Sequence, residues 1–168
     1  MPTDLNGVAS PRGSTDRSAG ADRLWASTVG GDLAFLLARA NAVSIDSANA
    51  ALSSHQLTVR SYSVLALAVS DSRPSQKELA DFLRLDPSQV VALVDDLERR
   101  TLVRRKTDPA DRRAKVVVVT ASGRTLYAQA RAAVVADEEQ RFGGLSARER
   151  DLLAKALRQV SLSVDRSA

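Results

Sequence analysis

Residues 102–120 read LVRRKTDPADRRAKVVVVT. Two β-rich runs, LVRRK and AKVVVVT, enclose a charged tip that holds Pro109 and the aspartates Asp108 and Asp111. Strand formers on either side of turn formers read as a hairpin. Val116–Val119 is apolar on both faces, so at least one face is expected to lie against helices. The pattern has the spacing of neither a catalytic triad nor a metal site, and its meaning comes from its neighbours.

Immediately upstream, Ser75 is followed three residues later by Glu78, a capping box that starts a helix at Ser75. Leu79, Phe82 and Leu83 give that helix its apolar face. Asp86 and Pro87 supply a second start signal, an N-cap with proline at the first helical position. The helix PSQVVALVDDLERR then runs to about Arg100, with Val90, Leu93, Val94 and Leu97 as its buried stripe. Two short helices joined by a few residues around Leu85 make a helix-turn-helix. Followed directly by a hairpin with a basic tip, the pair reads as a winged helix. Its second helix enters the DNA major groove, and its wing reaches the backbone and the adjacent minor groove.

That reading names candidate contacts. Ser75, Gln76 and Lys77 open a helix whose free N–H groups attract phosphate. Ser88, Gln89, Val91 and Ala92 occupy the start of the second helix, and Arg112 and Arg113 the wing tip. The aspartates of the tip act as organisers: Asp108 with Pro109 sets a turn, and Asp111 holds the Arg113 guanidinium in a bidentate pair. Arg104, Arg105 and Lys106 alternate on a strand and cannot all face DNA, so one or two are expected to pair with Asp95, Asp96 or Glu98. Two blander readings stand beside this one: a solvated hairpin tip, and a winged-helix module that binds another protein and no DNA.

The flanks are helical. Residues 1–22, rich in Ser, Gly, Pro, Asp and Arg, read as a disordered tail. Trp25 is expected to anchor the edge of the first helix. Asp32 caps a long helix in which Leu33, Leu36, Leu37, Ala40 and Val43 keep helical spacing, and residues 57–71 form another. After the hairpin, Thr120 opens a helix that Gly143 and Gly144 end. Ser146 and Glu149 cap a last helix, 147–162, whose stripe is Leu152, Leu153, Ala156, Leu157 and Val160. These helices carry more apolar surface than one winged domain can cover, which marks association. The expected fold is therefore mainly α: a tail (1–22), an N-terminal dimerisation helix (23–56), a winged helix-turn-helix domain (57–120) and C-terminal dimerisation helices (121–163).

Composition narrows the function. Hydrophobic residues make up 44% of the 168 and charged residues 26%, a globular balance, and the net charge of +4 suits an acidic partner such as nucleic acid. The chain has no cysteine and a single histidine, His55, which excludes disulfides, thiol redox sensing and Cys- or His-rich metal sites. One histidine without cysteine leaves little for nucleophilic catalysis, so no enzyme and no cofactor is expected. Neither an apolar leader nor a membrane-length run is present, so a soluble, cytoplasmic chain is expected.

From about Leu57 to Leu126 the sequence resembles the multiple-antibiotic-resistance regulator (MarR) family, through "LT…YSVL", "SQKELADFLRLDPSQVVALVDDLERRTLVRR" and above all "DPADRRAKVVVVTASGRTL". The resemblance implies an obligate homodimer with interleaved terminal helices, bound to a palindromic double-stranded operator. It also implies repression relieved when a small phenolic or anionic effector binds between the dimer helices and the wing domain. Trp25, His55, Arg60 and Tyr62 are the candidate effector contacts, with packing or surface exposure as the competing reading. Gln89, Val91 and Ala92 stand where many relatives carry Thr or Ser and a basic residue, and Asp96 where Arg is frequent. Base readout then rests on Ser88 and Gln89, with Val91 or Ala92 against a thymine methyl. Urate-type relatives share the early Trp but carry Asp where this chain has Ser63.

Overall fold

The structure, a computed structural model, describes residues 15–70, 72–109 and 111–165. In chain order it contains α1 (Thr15–Trp25), a 3₁₀ turn (Thr28–Gly31), α2 (Leu33–Leu52), a second 3₁₀ turn (Ser53–His55), α3 (Val59–Val69), α4 (Gln76–Leu83) and α5 (Pro87–Arg99). The strands β1 (Val103–Thr107) and β2 (Lys115–Val119) follow, and then α6 (Ala121–Phe142) and α7 (Ala147–Asp165). Two compact units divide between Ser44 and Ile45, inside α2. No described helix is long and apolar enough to cross a membrane.

In the first unit, residues 15–22 correct the expectation of a tail: they belong to α1. Ala21 and Leu24 favour helix, and Arg23 in the last turn suits the helix dipole. The part of the expected tail at 1–14 lies outside the described residues. The N-terminal segment is also not one helix, because the chain turns between Trp25 and Asp32. Gly30 permits that turn, since a Cβ there would lie 2.2 Å from the Trp25 carbonyl oxygen. Asp32 then caps α2 by accepting from the Ala34 N–H at 2.9 Å. Trp25 packs edge-on against Phe35, with the Arg39 guanidinium 5.1 Å from its ring centre.

The second unit holds the core. Leu52, Val64 and Leu65 of α2 and α3, Leu79 of α4, Val90, Val94 and Leu97 of α5, and Val103 and Val117 of the hairpin are fully buried together. Each helix starts where its cap dictates. Thr58 caps α3 and Ser75 caps α4 in reciprocal capping boxes, Asp86 caps α5 with Pro87 behind it, and Thr120 caps α6. Phe82 departs from its expected place. It is 73% exposed, because the buried side of this short helix runs through Leu79, Ala80 and Leu83, and Phe82 falls off that stripe.

The strands pair antiparallel from Val103↔Val119 to Thr107↔Lys115. Val117 N–H donates to the Pro74 carbonyl at 2.8 Å and Ser75 bridges Val116, so the root of the wing is tied to the start of α4. At the end of α5, Leu102 N–H donates to Leu97 O and Thr101 N–H to Glu98 O, a Schellman ending. Its left-handed residue is Thr101, at φ 57°, where a β-branched side chain is strained and glycine is usual. α7 differs from every other element of this unit: each side chain from Ala147 to Leu162 is exposed.

Three outcomes follow. Thr101→Gly should stabilise the protein by ~1 kcal/mol in chemical denaturation, the relief of the left-handed strain outweighing the added freedom of the unfolded chain. Gly123→Ala should destabilise it by at least the ~1 to 3 kcal/mol of ordinary overpacking, since its Cβ would meet the Leu102 carbonyl oxygen at 2.0 Å. The third concerns pH. Hydrogen bonds hold five carboxyls below their ordinary values: Glu78 from the Ser75 N–H and hydroxyl, Asp86 from Ser88, Glu98 from the Arg105 N–H, Asp137 from Ser47 and Arg141, and Glu149 from Ser146. A depressed folded value contributes stability above the unfolded value, about 3.9 for Asp and 4.3 for Glu, and loses it as pH falls through the folded one. Thermal unfolding midpoints should hold from pH 7 to about 5 and then fall; a rise on acidification would contradict this accounting.

Candidate nucleic-acid interface

The local rules that start α4 and α5 also decide which of their groups are free to act. Ser75 N–H and Oγ both donate to Glu78 Oε2 at 2.7 Å, and Ser75 Oγ accepts from Glu78 N–H at 3.2 Å. Lys77 is exposed beside this cap. Gln76 is not: its Oε1 accepts from Arg105 Nε at 2.9 Å, and its Nε2 is buried without a hydrogen-bond partner. Of the three residues expected to face phosphate, only Lys77 presents a free polar group.

At α5 the Asp86 carboxylate accepts from the Ser88 N–H at 2.8 Å and from its hydroxyl at 2.5 Å. The Ser88 proton is thereby committed to the cap, and its oxygen is left to accept. Gln89, Val91 and Ala92 are exposed, while Val90, Val94 and Leu97 are turned into the core. Gln89 and Ala92 line an open cleft of about 360 Å³ with Thr58, Arg60, Leu93 and Asp96. Arg60, expected at an effector site, thus shares a surface with the start of α5. Asp96 does not oppose this surface as a bare charge, because Arg99 and Arg100 both pair with it. Arg100 also donates to the carbonyls of Gln56 and His55, at 2.8 and 3.2 Å, and clamps the end of α5 to the α2–α3 turn.

On the wing, Arg104 and Lys106 are exposed and Arg105 turns inward, pairing with Asp95 and Glu98 as the alternation required. The tip closes through Asp108 N–H to Ala114 O and Ala114 N–H to Asp111 O, each 3.0 Å. Asp111 is an organiser by a different route from the one expected. Its Oδ1 accepts from the backbone N–H of Arg113 at 2.9 Å, and among the described residues no ion pair joins it to the Arg113 guanidinium. Two residues of separation in a tight turn bring a carboxylate onto its neighbour's amide more readily than around to its guanidinium. Arg112 and Arg113 project from the tip, exposed.

The four candidate effector residues do not form one described group. Trp25 lies in the first unit, and His55, Arg60 and Tyr62 in the second. Tyr62 stacks on Tyr127 with ring centres 5.7 Å apart. Burial pushes its phenol up, against a hydrogen bond from Arg131 that lowers it. Tyr127 and Arg131 were missed from sequence. The signal was the helical spacing of Leu126, Tyr127, Ala130 and Val134, which turns one side of α6 toward the core.

Residues 57–115 match the MarR family model. A Rhodococcus sp. RHA1 transcriptional regulator of that family is 37% identical, with a TM-score of 0.75 over 80% of this chain and 97% of its own. CouR of Rhodococcus jostii RHA1, solved with p-coumaroyl-CoA bound, is 38% identical, with a TM-score of 0.75 over 80% of this chain and 95% of its own. The transcriptional repressor CouR on a 23-mer DNA duplex matches at 30% identity and a TM-score of 0.71, covering 79% of this chain and 94% of that one. A curated Thauera aromatica protein, named for regulation of the hcr operon, is 30% identical over 99 residues, 59% of this chain and 60% of its own length. With 37% and 38% identity over 80% of this chain to two solved relatives matched across nearly their whole lengths, and with a helix-turn-helix and wing built as described, the chain belongs to the MarR family of transcriptional regulators.

Proposed function

We propose that this regulator is an operator-binding repressor that acts as a homodimer and leaves DNA when an aromatic, anionic molecule binds. One observation carries the DNA reading. The exposed start of α5 and the exposed Arg112 and Arg113 of the wing tip belong to elements that share one core with α4. Gln89 supplies the direct readout, since its amide can bond adenine N6 and N7 together; Val91 and Ala92 offer methyl contacts to thymine. Lys77, Arg112 and Arg113 supply phosphate or minor-groove contacts that position the protein. With Ser88 reduced to an acceptor, specificity rests on Gln89 more heavily than sequence alone implied.

The homodimer reading rests on α7. A helix of 19 residues whose described side chains are all exposed in the single chain gains little from its own packing. Leu152, Leu153, Leu157 and Leu162 offer apolar surface that a second copy would cover, and in the first unit Leu33 and Leu37 of α2 are exposed as well. For the effector, support comes from the Tyr62–Tyr127 stack beside Arg131, an aromatic wall with a guanidinium, and from the p-coumaroyl-CoA bound by CouR. An aromatic acyl-CoA thioester is the ligand class to test first, with His55, Arg60 and Trp25 as further candidates.

The experiment is binding-site selection on wild type, Gln89→Ala and Arg113→Ala, each at two salt concentrations. Gln89→Ala should relax preference at one base position per half-site and barely change the salt slope. Arg113→Ala should lower the slope, keep most base preferences and weaken binding by ~1 to 3 kcal/mol. A Gln89→Ala variant that selects the wild-type motif would place readout elsewhere. Sedimentation at micromolar concentration should show a dimer, and p-coumaroyl-CoA should release the DNA where free p-coumarate does so less well. A monomer, or DNA binding indifferent to both ligands, would remove the corresponding part of the proposal.

A further inference from the structure

We propose that Arg105 is a positioning residue for DNA recognition: it holds the wing at a fixed angle to α5 while touching no DNA itself. The inference rests on the DNA-binding reading above. Along β1 the exposed Arg104 and Lys106 flank Arg105, whose side chain is 24% exposed and directed at the helices. Four hydrogen bonds converge on this one residue. Its backbone N–H donates to Glu98 Oε1 at 2.8 Å, Nη1 to Glu98 Oε2 and Nη2 to Asp95 Oδ1 at 2.5 Å each, and Nε to Gln76 Oε1 at 2.9 Å. The acceptors belong to both helices of the helix-turn-helix. Only a planar guanidinium presents donors spread widely enough to serve all three side chains at once; a lysine ammonium is a compact point charge.

Two further observations say that the cluster does more than fill space. The Gln76 amide is turned so that its oxygen meets Arg105, and its Nε2 is stranded, buried and without a partner. An unsatisfied donor of this kind is costly, and it is kept here in favour of the link to the wing. Second, Asp95 and Glu98 place negative charge on the very helix that must approach phosphates. Arg105 compensates both from the protein side, leaving Arg112 and Arg113 free at the tip. Burial alone would lower the Arg105 pKa, yet the two carboxylates raise it. Without this strut the wing is held at its root alone, by Val117 N–H to Pro74 O, the Ser75–Val116 bridge, the Thr120 bonds to Leu102 O and the burial of Val103 and Val117. A hairpin pivoting about its root carries its tip out of reach of a fixed minor groove.

The test is a double-mutant cycle on the full chain, read by fluorescence anisotropy on a duplex of its own upstream DNA, with thermal unfolding of every variant. The tip variant Arg112→Ala/Arg113→Ala should weaken wild-type binding by about tenfold or more. Arg105→Lys keeps the charge and should nevertheless weaken binding about as much, with a comparable fall in salt slope although no phosphate contact has been removed. Adding the tip substitutions to Arg105→Lys should then cost less than about threefold more, because a wing already misplaced has little left to lose. If Arg105→Ala does not fold, the lysine variant carries the cycle alone. Wild-type affinity in Arg105→Lys would reduce the residue to a simple charge, and losses that multiply would show that it acts independently of the wing; either overturns the inference. A wild-type chain that ignores its DNA, or a tip variant that binds like wild type, would instead defeat the reading on which it rests.

Discussion

The main chain of Leu102 joins three elements. Its N–H closes the end of α5 on Leu97 O, and its carbonyl accepts from the Thr120 N–H at 3.0 Å and the Thr120 hydroxyl at 3.1 Å. Gly123 lies against the same carbonyl, closer than any side chain would allow. The recognition helix, the first strand of the wing, the last residue before α6 and the first turn of α6 are therefore referred to one residue. The left-handed Thr101 is the local expense of this junction: the chain must reverse in one residue for Leu102 to reach all its partners.

Around that junction the charges are sorted. Apart from the exposed Asp81, the acidic groups of α4 and α5 are committed to the protein: Glu78 and Asp86 to caps, Asp95 and Glu98 to Arg105, and Asp96 to Arg99 and Arg100. Lys77, Arg104, Arg112 and Arg113 remain exposed. A modest net charge of +4 thereby becomes a surface on which the unpaired charges of the helix-turn-helix and wing are mainly basic. On the proposed reading such a surface sets affinity and salt dependence, while Gln89 and the methyl groups of Val91 and Ala92 supply base discrimination.

What the sequence disclosed divides along physical lines. Capping boxes, the Asp86–Pro87 start and the hairpin are local, decided by residues three or four apart, and they appear where the spacing put them. The inward turn of one basic residue on β1 followed from strand alternation. The failures are of two kinds. Composition averaged over twenty residues hid the helix at Thr15–Trp25, and a generous apolar stripe buried Phe82 that a short helix leaves outside. Side-chain partners across space were legible only in part. Arg113 meets Asp111 through its amide, Gln76 faces Arg105 and not solvent, and the Tyr127–Arg131 side of Tyr62 is set by how α3 packs on α6. No spacing rule carries that information.

The central claim is that α5 and the wing engage DNA as a two-fold pair. Hydroxyl-radical footprinting of both strands of the upstream DNA tests it most directly. The account predicts two symmetric protected patches whose centres are about one helical turn, ~34 Å, apart, each flanked by protection across the neighbouring minor groove where a wing tip enters. A single unsymmetric patch, or major-groove protection without the flanking signal, would contradict it.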